Sequence, residues 1–300
     1  MFKHLLVPLD GSGLAESALP AAAYMARKLG ASVTLIHVVE KDAPKEIHKD
    51  RHLTNAEEAN AYLQEIARLA FSPELPVEWH VHVEEVKDVA RSIVLHTQEL
   101  GQDLVVMCTH GRGGVRDWFM GSIAQQVIAL GKTPVLLIPP RDIGQAVFSC
   151  RQALVALDGV PDHEQGLRVA AGLAPACGIT LHLLMVIPTL STLKAEKAAT
   201  GRMLPGAMMA MLDLAEQGGK DYLVQHMETL QSGGIVTSAE VARGDAVSAI
   251  VATAQRIQAD LIVLGTHGKT GMDAFWSESV TPKLSGRSLV PLLLVPVREK

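Results

Sequence analysis

Two apolar runs that end in the same turn decide the fold of this chain: Val106-Met107-Cys108-Thr109-His110-Gly111-Arg112 and Val263-Leu264-Gly265-Thr266-His267-Gly268-Lys269. The repetition extends towards the N-terminus of each copy, because Leu6 to Gly11 (LVPLDG) reappears at Leu154 to Gly159 (LVALDG). Self-similarity over such a distance predicts an internal duplication. We place the two domains at residues 1–142 and 150–300.

The two copies differ in length. Asp10 and Asp158 are 148 residues apart, whereas Gly111 and Gly268 are 157 apart, so the second copy has gained 157 − 148 = 9 residues. We place them between 188 and 234. The Met-rich stretch 188–226 is predicted to be mobile until a helix resumes near Met211. Its composition is compatible both with a lid over the second site and with a contact to the first domain.

Each copy alternates short apolar strands with amphipathic helices. In the first copy we predict strands at 4–9, 33–39, 77–83, 104–108 and 135–138. The inner strands are continuous apolar runs, which is typical of parallel strands covered on both faces by helices. The sequence therefore predicts an α/β fold of two repeated doubly wound domains, each a five-stranded parallel sheet between helices. Ligands bind such sheets at the carboxyl ends of the strands, where the strand order reverses.

The composition excludes several classes of partner. A net charge of −5 and a pI near 6.2 give no basic surface for nucleic acid or an anionic membrane. No apolar run approaches the roughly 18 residues of a spanning helix, and the chain opens directly into a strand rather than a signal sequence. The three cysteines lack metal-type spacing and fit packing in a reducing compartment. We expect a cytoplasmic protein without a metal site.

The turn after the fourth strand carries the chemistry. Nine residues separate Gly111 from Gly121, and Gly121-Ser122 then opens a helix. A helix N-terminus offers free backbone N–H groups and the positive end of the helix dipole. Ser122 is predicted to cap the helix and to face a ligand oxygen. This combination favours phosphate binding.

At these residues the chain resembles the universal stress protein family in its tandem form, whose nucleotide signature is Gly, two residues, Gly, nine residues, then Gly and Ser or Thr. The first copy has Cys108 at the first Gly, and the second has Glu278 at the third, followed by Ser279. The resemblance implies an adenine-nucleotide α-hydrolase-like fold and ATP, with Mg²⁺, as ligand. The implied contacts in the first copy are Pro8, Asp10, Val38, Cys108, Gly111, Arg112, Gly121 and Ser122.

Asp10 has a second interpretation from the residues alone. An Asp-Gly pair after a strand is an ordinary turn signal, and the following helix favours an acidic neighbour. An ionised carboxylate can also accept hydrogen bonds from a ribose or an amino group. The residues leave the two roles open, and the resemblance favours ligand contact.

The second copy is predicted to be degenerate. Its counterpart positions are Asp158, Val186, Gly265, Gly268, Glu278 and Ser279. A carboxylate at 278 would repel the terminal phosphates of a nucleoside triphosphate in a partly buried site. We therefore expect nucleotide binding in the first copy and a structural or regulatory role for the second.

The histidines are assigned no catalytic role. His110 and His267 lie in the turns, but no nucleophile or acid at a recognisable spacing makes either one a base. His37 is replaced by Met185 in the second copy, which indicates packing. His48 and His52 have the spacing of a metal pair, yet their charged neighbours predict a solvated segment.

These observations predict a stress-response protein that binds an adenine nucleotide as a regulator or sensor and is at most a weak ATPase. The alternative is a scaffold or chaperone-like protein in which both sites are degenerate. The resemblance also implies that the last strands of the copies, at 135–138 and 292–295, pair edge to edge as an intramolecular pseudo-dimer. The sequence leaves homodimerisation open.

Overall fold

The computed structural model describes residues 1–42, 46–47, 50–109, 121–140, 148–193, 195–267 and 280–297. It divides into two compact units. The first comprises Met1–Ser149 with Gly268–Pro296, and the second comprises Cys150–His267 with Val297–Lys300. In the described part of the chain, no helix combines the length and apolar character that crossing a membrane requires.

The first unit follows the predicted alternation of strands and helices. Its elements are β1 (His4–Pro8), α1 (Gly13–Glu16), α2 (Leu19–Leu29), β2 (Ser32–Glu40), β3 (Glu46–Ile47), β4 (Asp50–Arg51), α3 (Ala56–Ala70), β5 (Val77–Val86), α4 (Val89–Glu99), β6 (Leu104–Cys108), α5 (Ser122–Leu130) and β7 (Val135–Ile138). Strands β7, β6, β1, β2 and β5 form a parallel sheet in that order.

The second unit repeats this plan with four parallel strands in the order β10, β9, β8, β11. Its elements are β8 (Gln152–Leu157), a 3₁₀ turn (Pro161–His163), α6 (Gln165–Cys177), β9 (Thr180–Ile187), α7 (Ala195–Met203), α8 (Pro205–Ser232), β10 (Thr237–Arg243), α9 (Ala246–Arg256) and β11 (Leu261–His267). The α/β fold with two repeated domains is confirmed.

The last strand of the chain lies in the first unit. After the short helix Val280–Ser285, β12 (Leu292–Val297) pairs antiparallel with β7, with Leu293 opposite Leu136. The predicted edge pairing of the two last strands is therefore present. It covers an apolar edge that would otherwise be open to aggregation.

The duplication extends to individual hydrogen bonds. Asp103 accepts from the backbone N–H groups of Lys3 and His4 at the start of β1, and Asp260 accepts from those of Arg151 and Gln152 at the start of β8. The backbone amides at the start of a strand can lack a partner in the neighbouring strand. In each copy one carboxylate accepts hydrogen bonds from two such amides.

A second repeated contact is consistent with the predicted position of the insertion and changes its predicted size. Tyr62 donates to Glu16, and Tyr222 donates to Glu164, in both cases with the tyrosine on the helix after the second strand. The two tyrosines are 160 residues apart. The second copy has therefore gained 12 residues before this point (160 against 148) and loses 3 after it (160 against 157).

The inserted residues are helical. The prediction of a mobile stretch up to Met211 is wrong, because α8 begins at Pro205 and runs for 28 residues. Proline suits the first position of a helix, where its missing N–H costs no hydrogen bond. Met208, Leu212, Gly219 and Leu223 bury one face at near-helical spacing, whereas Met209 and Met211 are exposed.

Candidate nucleotide site

The candidate site of the first unit lies where its strand order reverses. β1 pairs with β2 on one side and with β6 on the other, so their carboxyl ends share one edge of the sheet. Pro8 and Cys108 end two of these strands, and Val38 lies buried near the end of the third. The structure thus brings the three predicted strand-end residues to the same edge, as expected for a doubly wound sheet.

Asp10 forms the turn that leaves β1. Its Oδ1 accepts from the backbone N–H of Ser12 at 2.9 Å and from the Ser12 hydroxyl at 2.6 Å. The Ser12 Oγ in turn accepts from the N–H of Ala15 and caps α1. The turn-forming role is therefore observed, while Asp10 Oδ2 makes no hydrogen bond within the described part of the chain.

A buried histidine forms a hydrogen bond with the residue that precedes this turn. His37 is 1 % exposed, and its Nδ1–H donates to the carbonyl of Leu9 at 2.8 Å. Burial lowers the pKa of His37, so the ring is neutral near pH 7. The expectation that His37 packs rather than reacts agrees with this contact, which fixes the residue immediately before Asp10.

The segment after β2 covers the same turn. The N–H of Leu53 donates to the carbonyl of Asp10 at 3.0 Å, and a Cβ on Gly11 would lie 2.7 Å from Leu53 Cγ. Gly11 also has φ = 90°, so only glycine fits comfortably. His52 is 8 % exposed, so the prediction of a solvated segment is wrong at this residue. The adjacent Leu53 is held against the Asp10 turn, and His52 is buried with it. His48 lies outside the described residues.

The start of α5 lies at the same edge, where the sequence predicts phosphate binding. The N–H of Gly121 donates to the carbonyl of Thr109 at 2.6 Å, which joins the two ends of the long turn. Gly121 is the N-cap and Ser122, which is exposed, is the first helical residue. The prediction that Ser122 caps the helix is therefore wrong. The amides of the first turn have no intrahelical partner, as at every helix start, and Gly111 and Arg112 lie outside the described residues.

The corresponding edge of the second unit is closed by its own chain. Asp158 accepts from Val160 N–H at 3.0 Å and from His163 Nδ1 at 2.5 Å. A Cβ on Gly265 would lie 2.7 Å from the carbonyl oxygen of His163, so the 3₁₀ turn packs directly on the entry of the second turn. Val186 lies near the end of β9, whereas Gly268, Glu278 and Ser279 lie outside the described residues.

Helix α8 adds to this closure. Glu164 accepts from Tyr222 Oη at 2.9 Å and lies 3.0 Å from His226 Nε2, and burial together with Glu164 raises the pKa of Tyr222. Met185, at the position of His37, lies between Gly159 and Gly219, because a Cβ on either glycine would contact its side chain. The sequence analysis missed Glu164 and Tyr222, although the repeated Glu16 and Tyr62 were the available signal.

Together, the reversal of strand order and the contacts repeated in the two units define a duplicated, doubly wound α/β protein. The universal stress protein family model matches residues 1–139 and 150–296. The chain therefore belongs to the universal stress protein family, as the resemblance implied.

Individual relatives agree with this assignment. Universal stress protein Slr1230 of Synechocystis is 22% identical over 97% of this chain and 99% of its own length. Universal stress protein Sll1654 of the same organism is 32% identical over 46% of this chain and 87% of its own length. A crystal structure of a universal stress protein from Archaeoglobus fulgidus covers 99% of this chain and 97% of its own, with 18% identity and a TM-score of 0.70, and shares the fold.

Proposed function

We propose that this protein binds ATP or a related adenine nucleotide at the first-unit edge and acts in the cytoplasm as a stress-response regulator or sensor with little or no turnover. The observation that carries the proposal is the start of α5, which the hydrogen bond from Gly121 to Thr109 holds at the carboxyl end of β6, next to β1 in the sheet. Backbone N–H groups at a helix start favour phosphate oxygens without further side-chain chemistry.

The groups opposite α5 suit a nucleoside. Asp10 keeps its Oδ2 available within the described part of the chain while Ser12 fixes Oδ1, so the carboxylate is oriented and able to accept a hydrogen bond. Val38 is buried near the end of the neighbouring strand β2. One solved member of the family is a complex with cAMP, an adenine nucleotide bound by that protein.

The same groups bind and orient rather than transfer a group. The Nδ1 proton of His37 is engaged by Leu9, and burial lowers its pKa, so the ring stabilises the turn instead of acting as a base. We propose that Mg²⁺ accompanies the phosphates, with Asp10 as the nearest described carboxylate at this edge. The second copy would then transmit or stabilise the bound state.

The proposal is tested by calorimetry with ATP and Mg²⁺ and by mass spectrometry of small molecules released when the purified protein is denatured. We expect one nucleotide per chain and ADP formation that is slow compared with nucleotide exchange. Absence of both binding heat and released nucleotide would exclude the ligand and favour the scaffold alternative.

A further inference from the structure

Three histidines meet on the outer side of the first unit. His80 and His82 are two residues apart on β5, so they project from the same face of that strand. Trp79, on the opposite face, donates to Asn60 of α3. The third histidine, His96, lies on α4 and is 6 % exposed.

The ring nitrogens of these residues are close enough to share one ion. His80 Nε2 and His96 Nε2 are 3.2 Å apart, and one ligand atom from each of the three histidines lies within 4.8 Å of the others. Two imidazole nitrogens bound tetrahedrally at about 2.0–2.1 Å from Zn²⁺ would be roughly 3.3 Å apart. The His80–His96 pair already has this separation.

The orientation of His96 is fixed by a backbone carbonyl. Its Nδ1 lies 2.8 Å from the carbonyl of Ser92, which can only accept, so Nδ1 carries the proton. The lone pair of neutral His96 is then on Nε2 and points into the cluster. Metal-binding histidines commonly use the second ring nitrogen in this way.

The surroundings also favour a cation. The carboxylate of Glu99, one turn beyond His96, has Oε2 3.9 Å from His96 Nε2. It adds negative charge and a hard oxygen beside the three nitrogens.

We propose that His80, His82 and His96 form a binding site for a divalent transition-metal ion of the Zn²⁺ class, with Glu99 or water in the fourth position. Three imidazoles suit Zn²⁺, Cu²⁺ or Ni²⁺ better than Mg²⁺ or Ca²⁺. The site lies between β5, the outermost strand of its parallel sheet, and α4, away from the Asp10 edge.

The second copy shows that a cation is accommodated at the same place. Val33 pairs with Val77, and its counterpart Leu181 pairs with Thr237, so this register puts Glu240 at the position of His80. The counterparts of His96 and Glu99, at the offset of Asp88 and Asp245, are Thr253 and Arg256.

Glu240 accepts a hydrogen bond from Thr253 at 3.0 Å and from the guanidinium of Arg256. A positive side chain therefore lies in the second copy beside the residue that corresponds to His80, where we assign a metal ion in the first. This correspondence makes Arg256 the natural substitute with which to test the site.

The test is Zn²⁺ titration of protein stripped with a chelator, in competition with a zinc indicator and without nucleotide. We expect one equivalent to bind, Co²⁺ to give the visible absorption of a tetrahedral site, and H82A to weaken binding at least about tenfold. H4Q, which changes a histidine at the start of β1, is the matched control and should bind like the unmodified protein.

Glu99→Arg supplies a second variant that keeps all three histidines. Glu99 is 64% exposed, so the substitution should leave the fold intact, as circular dichroism would verify. We expect E99R to lose Zn²⁺ binding and E99Q to retain most of it. The proposal would be overturned if H82A and E99R both left Zn²⁺ binding unchanged. It would also be overturned if the unmodified protein bound Zn²⁺ no more tightly than an H80Q/H82A/H96Q variant.

Discussion

In the first copy the carboxylate after strand one bonds only to Ser12 in its own turn, within the described part of the chain, whereas in the second copy its counterpart also pairs with a histidine. Asp10 is fixed by Ser12, while Asp158 contacts His163, whose carbonyl packs on Gly265. The framework beneath is the same in both, as Asp103 and Asp260 show. The comparison teaches that duplication preserved the framework of the sheet and that the difference lies in the turns at the carboxyl ends of its strands.

The largest expected effect comes from giving the first copy the residue of the second at position 121. Gly121 has φ = −57°, which any residue adopts, so Gly121→Glu alters the site rather than the backbone. Like charges about 5 Å apart at an effective dielectric of about 20 repel by roughly 3 kcal/mol. We expect ATP affinity to fall about 100-fold in calorimetry.

Two controls separate this effect from charge alone. Gln64→Glu adds the same charge on an exposed position of α3 and should leave affinity unchanged. Glu278→Gly, the reverse exchange, should not create a second nucleotide site because the 3₁₀ turn still closes the edge. Two bound nucleotides per chain in that variant would contradict the comparison.

The next effect concerns the first glycine of the signature. Gly265→Ala places a Cβ 2.7 Å from a backbone oxygen, and overpacking of this kind costs about 1–3 kcal/mol. Cys108→Ala, at the counterpart position, removes one sulfur from a half-buried strand end and should cost less. Urea unfolding of the two variants measures the difference, and equal midpoints would show that the 3₁₀ turn yields to the added methyl group.

A smaller effect is expected at the two turn carboxylates. Asp10→Ala removes the acceptor of both Ser12 hydrogen bonds, and loss of a hydrogen bond to a charged group costs about 1.5–3 kcal/mol before solvent exposure reduces it, so we expect about 1–2 kcal/mol. Asp158→Ala breaks a half-exposed pair with His163 and should cost less than about 1 kcal/mol. Thermal unfolding should rank Asp10→Ala as the less stable variant, and the opposite ranking would refute the structural role of Ser12.

The smallest effect is a change in pH dependence. Burial lowers the pKa of His37 below its value of about 6.5 in the unfolded chain. The unfolded state therefore takes up a proton first, and stability is lost as pH falls below about 6.5. His37→Met, the residue of the second copy, should lose less stability between pH 7.5 and 5.5 than the unmodified protein.

Ile36→Met is the matched control for this exchange. It also places a methionine in the core of β2 but keeps the histidine, so its stability should fall with pH as steeply as that of the unmodified protein. Unfolding midpoints at the two pH values measure both. A His37→Met slope equal to that of Ile36→Met would exclude His37 as a source of the acid sensitivity.

The sequence predicts the fold well because strands that are buried on both faces of a parallel sheet consist of consecutive apolar residues. Continuous apolar runs such as Leu104 to Met107 and Leu183 to Val186 are compatible with few other structures. The turn at Asp10 was likewise predictable, because an Asp side chain bonds to the nearby backbone and the following Gly can adopt a positive φ. Its role towards a ligand depends on distant residues and remains a prediction.

Other features depend on contacts that local pattern does not contain. His52 is buried because Leu53 bonds to the Asp10 carbonyl, a contact between segments 43 residues apart (53 − 10 = 43). The three-histidine cluster needs the register of β5 and the position of α4 at once, although His80-Val81-His82 was visible as a pair on one strand face. Helix α8 begins six residues before the predicted Met211, because a proline can occupy the first position of a helix as well as interrupt one.

The position of β12 has a consequence for the order in which the chain can fold during synthesis. β7 acquires its outer neighbour only from Leu292–Leu294, about half the chain later. Until those residues leave the ribosome, the nascent first unit exposes the N–H and C=O groups of an apolar edge strand. Completion of the first unit therefore waits for the second to be translated, and a ribosome stalled before residue 292 would display an aggregation-prone intermediate.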